Sequence, residues 1–160
     1  MKALLVMVLA LLAGAGCVAE AVEVGEETPG YALEGPLLLA YEGPAETKLL
    51  LEAAIAEWVD TCGSDVRLDP AGIPFVISDE EMGTREGFTR FAGIDPFLIR
   101  VRPGAKRPQK TMAHEIGHAL GLGHTERGTK DLMSKGYSGV DHVTPGNCEA
   151  LAKLPRRGES

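Results

Sequence analysis

Apolar residues recur along this chain with spacings that change several times, and each spacing predicts a different kind of element. Residues 35–43 are a short apolar run bounded by glycines, which is typical of a buried strand. From residue 46 to residue 62 the apolar residues recur at helical spacing. The apolar face of this predicted helix consists of Leu51, Ala54, Ile55, Trp58 and Val59. Gly63 follows and ends the helix, because glycine readily adopts left-handed backbone conformations.

Three further segments predict strands. Residues 65–69 alternate between polar and apolar positions, and residues 74–78 form a short apolar run. Residues 96–103 alternate as well, with Ile99 and Val101 on one face, and the prolines at both ends favour an edge strand over a central one. Residues 79–93 are mixed and turn-rich, and no element is assigned to them.

Two more helices are predicted in the C-terminal half. The first covers residues 108–120 and begins near Pro108, since proline suits the first turn of a helix. The second runs from Thr144 or Pro145 to Leu154. The predicted order is strand, helix, several strands, helix, irregular segment and helix, which indicates an α+β domain. A chain of 160 residues is long enough for one such domain.

The N-terminus has the layout of a signal peptide. Lys2 precedes an apolar run at residues 3–13, and small residues then lead to Cys17. A short basic start, an apolar stretch and a small-residue exit predict a signal peptide at residues 1–16 and therefore export. A buried N-terminal helix is the alternative.

The residues before Cys17 resemble a bacterial lipobox, in which the cysteine is lipidated and becomes the new N-terminus. The lipobox pattern usually has leucine where Gly14 stands. Lipidation of Cys17, with an anchor and tether over residues 17–34, is the first prediction. Ordinary cleavage after Ala15 or Ala21, followed by secretion, is the second. The folded domain is predicted at residues 35–160 in both cases.

Export also bears on the other two cysteines. If Cys17 is lipidated or removed, Cys62 and Cys148 remain, and in an oxidising compartment they predict one disulfide. Closing such a long loop would stabilise the fold by about 4–5 kcal/mol. Two buried free thiols are the alternative.

The stretch HEIGHALGLGH, residues 114–124, holds three of the four histidines of the chain. His114 and His118 are four apart, so on a helix both imidazoles leave the same face one turn apart and suit a single zinc ion. Two glycines after the helix allow the chain to turn and bring His124 to the same metal. Three imidazoles leave one coordination position open, which is typical of a catalytic zinc site, and Glu115 can reach a water there. The alternative is a helix that carries its histidines incidentally.

These residues resemble the metzincin zinc endopeptidases, whose signature is H-E-x-x-H-x-x-G-x-x-H, and in particular the matrixin branch. Metzincins also have a methionine turn beneath the zinc, for which Met133 in DLMS is the candidate beside the alternative of ordinary core packing. The resemblance implies a twisted, mostly parallel sheet with an edge strand, packed on the active-site helix and an earlier helix, with a C-terminal helix after the turn. It is sharp over residues 108–134, looser over 35–154 and absent over 1–34.

The resemblance also suggests how a substrate would bind. The edge strand of the family adds an extended peptide to the sheet, and the matching strand here carries Phe97 and Ile99. Residues 135–142 would wall the pocket beyond the scissile bond, with Tyr137 as a candidate, unless they form an ordinary surface loop. A second zinc of the matrixin kind lacks ligands here, because the spare His142 suits a cap or the surface. Calcium bound by residues 79–86 is a further hypothesis, with a solvated acidic loop as the alternative.

Two functional hypotheses follow. The first is a zinc-dependent endopeptidase that hydrolyses extended peptide or protein substrates, with Glu115 as general base. The second is a zinc-binding envelope lipoprotein with little or no turnover, against which the intact Glu115 argues. The net charge of −7 argues against a nucleic-acid partner. We expect a monomer at the bacterial cell envelope, anchored to the outer membrane or surface through its lipid, or else secreted.

Overall fold

The computed structural model describes residues 24–25, 30–135 and 139–156, and for residues 24–25 it describes the backbone alone. The predicted signal peptide, the lipidation site Cys17 and Tyr137 lie outside the described residues. The described part folds as an α+β domain built on one six-stranded sheet with three helices, which confirms the predicted fold class in its coarse form. None of the described helices is long and apolar enough to span a membrane.

The sheet is mostly parallel. Its strands are β1 (Val24–Gly25), β2 (Leu37–Glu42), β3 (Val66–Leu68), β4 (Ile73–Ile77), β5 (Gly87–Ala92) and β6 (Asp95–Val101). Their order across the sheet is β1-β5-β6-β4-β2-β3. Strands β3, β2, β4 and β6 run parallel to one another, whereas β5 runs antiparallel to β6 and to the short β1.

The helices are α1 (Ala45–Cys62), α2 (Pro108–Ala119) and α3 (Pro145–Ala152). All three confirm predicted helices, and Gly63 ends α1 in the left-handed conformation with φ 66°. Helices α1 and α2 pack against each other and share one core with alternate residues of the strands. The indole N–H of Trp58, fully buried on α1, donates to the Ala113 carbonyl of α2 at 2.8 Å. Val59 was expected on the same apolar face but is 39% exposed, because it lies at the margin of the helix contact.

The prediction that residues 96–103 form an edge strand is wrong. Strand β6 lies between β5 and β4 inside the sheet. Its prolines are tolerated there because Pro96, which lies opposite Phe91 of β5, is outside the stretch Ile99–Val101 that pairs with β4, and Pro103 lies beyond the end of the strand. The strand next to the sheet margin is β5, which the sequence pattern did not reveal.

The predicted disulfide is confirmed. Cys62 at the end of α1 is bonded to Cys148 on α3, with a sequence separation of 86 residues. The alternative of two free thiols is therefore excluded. The bridge holds α3 beside α1, and α3 begins with a capping box in which Thr144 and Asn147 exchange hydrogen bonds.

Residues 31–33, at the end of the predicted tether, contact the folded domain. The backbone N–H of Ala32 donates to the Pro155 carbonyl at 3.0 Å, and Leu33 packs against the core. Gly121 has φ 108°, and a Cβ at this position would lie 2.0 Å from the Tyr31 carbonyl oxygen. The glycine that follows α2 therefore permits both the turn of the chain and the close passage of residue 31.

Candidate metal centre

Three histidine side chains converge at the C-terminal end of α2. The Nε2 atoms of His114 and His118 are 3.1 Å apart, and each lies 3.2 Å from the Nε2 atom of His124. Nitrogens bound to one tetrahedral zinc at about 2.0–2.1 Å stand about 3.3 Å from one another. The prediction that these three residues lie close enough to hold a metal ion is confirmed.

The position of His124 follows from how the chain leaves α2. The Gly121 N–H donates to the His118 carbonyl at 2.8 Å, and the Leu122 N–H donates to the Gly117 carbonyl at 2.9 Å, which closes the helix end. Beyond His124, the Thr125 N–H donates to the Met133 carbonyl at 2.9 Å. Backbone hydrogen bonds therefore hold the loop that carries His124 both before and after this residue.

Hydrogen bonds fix which ring nitrogens carry protons. His114 Nδ1 lies 2.8 Å from the Leu132 carbonyl oxygen, and His118 Nδ1 lies 2.8 Å from the Leu122 carbonyl oxygen. A carbonyl oxygen only accepts, so in the neutral rings Nδ1 carries the proton and Nε2 presents a lone pair. Lone pairs that face one another cannot hydrogen-bond, and the arrangement is that of ligands around a cation.

The two helical imidazoles are held neutral. Burial lowers the pKa of His114 to about 4; the hydrogen bond to the Leu132 carbonyl opposes this fall, and the charge of Lys110 adds to it. Burial lowers the pKa of His118 to about 3. Burial also lowers the pKa of His124, which is the most exposed of the three. Neutral rings at pH 7 bind a metal without first losing a proton.

Glu115 lines the same cavity as the three histidines, a space of about 280 Å³. Its side chain is buried, and Thr89 of β5 donates its hydroxyl hydrogen to Glu115 Oε2 at 2.9 Å or to the Glu115 carbonyl oxygen at 3.0 Å. Burial raises the pKa of Glu115 to about 8, while the Thr89 hydrogen bond and the Arg85 charge oppose that rise. A cation held by the histidines would lower it further.

Met133 packs against α2. It is almost fully buried, and a Cβ added at Gly117, between the two helical histidines, would lie 2.5 Å from its Sδ atom. The Met133 N–H donates to Asp131 Oδ1 at 2.6 Å, and Asn147 Nδ2 donates to the same oxygen at 3.0 Å. The turn therefore joins α3 to the metal centre, since its Leu132 carbonyl orients His114.

Two predicted substrate contacts are not brought to the site. Ile99 is fully buried in the core between the sheet and the helices, so its side chain does not face a cleft, and this prediction is wrong. Phe97 is 37% exposed, but it lies on the interior strand β6 rather than on an edge. His142 is exposed and is not part of the histidine group.

The acidic segment proposed for calcium makes ion pairs with arginines. Arg100 contacts Glu81 at 3.3 Å and Glu80 at 3.6 Å, and Arg102 lies 3.4 Å from Asp79. These side chains attach the segment before β5 to strand β6. The carboxylates thus already have cationic partners.

Sequence reasoning missed the residues that support Glu115. Thr89 and Gly87 lie on β5, and a Cβ at Gly87 would lie 2.8 Å from Glu115 Oε1. Strand β5 was not recognised in the sequence because a register shift between Arg90 and Phe91 breaks its alternation of polar and apolar residues.

No protein-family model matches the chain, and no curated protein matches it either.

Proposed function

We propose that this chain is a zinc-dependent endopeptidase, matrixin-like within the metzincins, that hydrolyses extended peptide or protein substrates. One observation carries the proposal: the Nε2 atoms of three histidines converge in a cavity that the carboxyl group of Glu115 also lines. A site that only bound metal would have no need of a buried carboxylate beside the ligands. The sequence signature at residues 114–124 supports the same conclusion.

The donor set suits zinc. Imidazole nitrogens suit zinc and other late transition metals, whereas calcium and magnesium take oxygen ligands. Three protein ligands also leave a position for water or substrate. A zinc ion at this site would lower the pKa of a bound water to about 7 and polarise a carbonyl group.

Within this proposal Glu115 moves the protons. Its carboxylate accepts a proton from the attacking water and passes it to the amine that leaves. Thr89 holds the carboxylate through its hydroxyl hydrogen bond, and acts as a positioning residue. Gly87 leaves room for the carboxylate, because any side chain there would occupy its place.

The substrate is proposed to lie along β5 rather than β6. Among the described residues, β1 pairs only with Phe91 and Ala92, so the stretch 87–90 has no neighbouring strand on its outer side. An extended peptide can add to such an edge through main-chain hydrogen bonds. Because 87–90 includes Gly87 and Thr89, a peptide there would pass directly beside Glu115.

Location stays a proposal that rests on the N-terminal sequence. Export, with lipidation of Cys17 or secretion after cleavage, accounts for the signal-like layout. The disulfide is in keeping with an oxidising compartment. The substrate would accordingly be a polypeptide at the cell envelope or outside the cell.

The test is cleavage of a mixed peptide library by the purified protein with zinc, with a chelator and after zinc is added back. We expect internal cuts that the chelator abolishes and zinc restores. Glu115→Ala should keep its zinc and make no cuts, whereas Glu149→Ala, the same change on an exposed helix position, should cut normally. Bound zinc without cuts by the parent protein would favour the alternative of a zinc-binding envelope lipoprotein.

A further inference from the structure

A second, wider cavity opens beside the histidines. It has a volume of about 710 Å³ and shares Arg85, Gly87, His114 and Glu115 with the metal cavity. Its further lining includes Lys106, Arg107 and Lys110. Four of the sixteen lysines and arginines therefore surround one cavity, in a chain whose net charge is −7. This concentration of positive charge indicates an anionic ligand group.

Lys110 is the cation that the fold fixes most firmly. It precedes His114 by one turn on α2, and its side chain is only 13% exposed. Its charge is close enough to contribute to the lowered pKa of His114. Arg85, just before β5, also lines the cavity, and its charge acts to lower the pKa of Glu115. Lys110 and Arg85 therefore line the same cavity beside the candidate metal centre.

Two acidic groups lie close to these cations. Asp141 accepts a hydrogen bond from Arg107 and lies 3.6 Å from Lys110 Nζ, with 54% of its side chain exposed. Glu86 Oε1 accepts from the backbone N–H of Lys106 at 3.4 Å. Asp141 can turn toward water at little cost because it is half exposed, and a ligand carboxylate can then share Lys110.

We propose that this cavity binds a carboxylate of the substrate, namely an aspartate or glutamate side chain beside the scissile bond. The inference rests on the proposed endopeptidase function and specifies its substrate class. Four residues, about 6 Å of helix rise, separate Lys110 from His114 along α2. An extended peptide advances about 3.3 Å per residue, so the acidic residue belongs within two positions of the bond that is cut.

Binding can be measured without turnover. The probes are fluorescein-labelled, amidated octapeptides of alanine, serine and glycine that carry one Glu, or one Gln in its place, at each position in turn. They are titrated by fluorescence anisotropy against zinc-loaded Glu115→Ala protein. We expect one or two neighbouring positions at which Glu binds about tenfold more tightly than Gln, as for a charge-assisted hydrogen bond. Equal binding of every Glu and Gln pair would overturn the inference.

Variants assign the effect to Lys110. In the Glu115→Ala background, Lys110→Met should lose the preference for Glu, whereas Lys48→Met, which removes an equal charge from α1, should keep it. A carboxylate that bound the metal instead would keep its advantage in Lys110→Met, and this result would also overturn the inference. If a thermal melt shows that Lys110→Met does not fold, the test uses Asp141→Asn instead. This variant removes the carboxylate that competes for Lys110, so it should increase the preference for Glu over Gln peptides.

Two further experiments distinguish binding of a side-chain carboxylate from binding of a chain end, and failure of this inference from failure of the proposed endopeptidase function. Peptides with a free C-terminal carboxylate distinguish a chain end from a side chain, and tighter binding of the free acids alone would overturn the side-chain assignment. Cleavage by the parent protein with no difference between Glu and Gln peptides would overturn this inference and leave the endopeptidase function standing. Glu-dependent binding without cleavage of any peptide would overturn the endopeptidase function and leave standing only the binding of a peptide carboxylate at this cavity.

Discussion

Replacing Thr89 by valine removes a single hydroxyl group from beneath Glu115. The Thr89 hydroxyl donates to Glu115 Oε2 at 2.9 Å in a buried site, and valine has almost the same shape without the donor. Strand β5 accepts valine, because β-branched residues suit strands. The substitution therefore tests the support of the carboxylate without disturbing the surrounding packing.

The size of the effect follows from that hydrogen bond. A hydrogen bond to a charged group contributes about 1.5–3 kcal/mol. If the bond holds the carboxylate in its working orientation, its loss lowers kcat about 10- to 150-fold. Because the same bond lowers the pKa of Glu115, its removal raises that pKa. A base must be deprotonated to act, so the acid side of the kcat profile should move to higher pH.

The assay is steady-state cleavage of one fluorogenic peptide across pH, with zinc content measured on each sample. Thr89→Ser, which keeps the hydroxyl, is the matched control and should stay close to the parent. We expect Thr89→Val to keep its zinc and its KM. Wild-type kcat with an unshifted pH profile in Thr89→Val would refute the role of Thr89, and loss of zinc would show a structural role instead.

Three other perturbations have defined outcomes. Changing Cys62 and Cys148 to serine should lower the free energy of unfolding by about 4–5 kcal/mol, given the separation of 86 residues, and an unchanged urea midpoint would contradict this. Gly87→Ala should displace the Glu115 carboxylate and lower kcat about 10- to 100-fold at full zinc occupancy, whereas normal kcat would speak against the close approach. His124→Ala should weaken zinc binding more than about 100-fold in competition with a chelating dye, and unchanged affinity would remove it from the ligand set.

Local signals in the sequence predicted much of this fold. The spacing of Leu51, Ala54 and Trp58 placed α1, and Gly63 marked its end, because both follow from the geometry of a single helix. The histidine spacing works in the same way, since one helical turn and one glycine turn bring the ligands together. The disulfide followed from counting the cysteines that remain if Cys17 is lipidated or removed.

Features that depend on distant pairing were not predictable in this way. Strand β6 looked like an edge because of its prolines, yet its place in the sheet depends on β5, whose bulge between Arg90 and Phe91 hides the alternation. Thr89 was missed for the same reason. The support of His114 by the Leu132 carbonyl leaves no trace in the sequence, because any residue supplies a carbonyl oxygen.

The most direct test of the central claim is one turnover measurement on two proteins. The parent and Glu115→Ala are loaded with zinc, their metal content is confirmed to be equal, and cleavage of the same peptide is followed. The proposal predicts equal zinc and a loss of turnover of about 100-fold or more in the variant, as expected for a general base. Equal zinc with equal turnover, or no turnover by either protein, would contradict the claim that this cavity is an endopeptidase site.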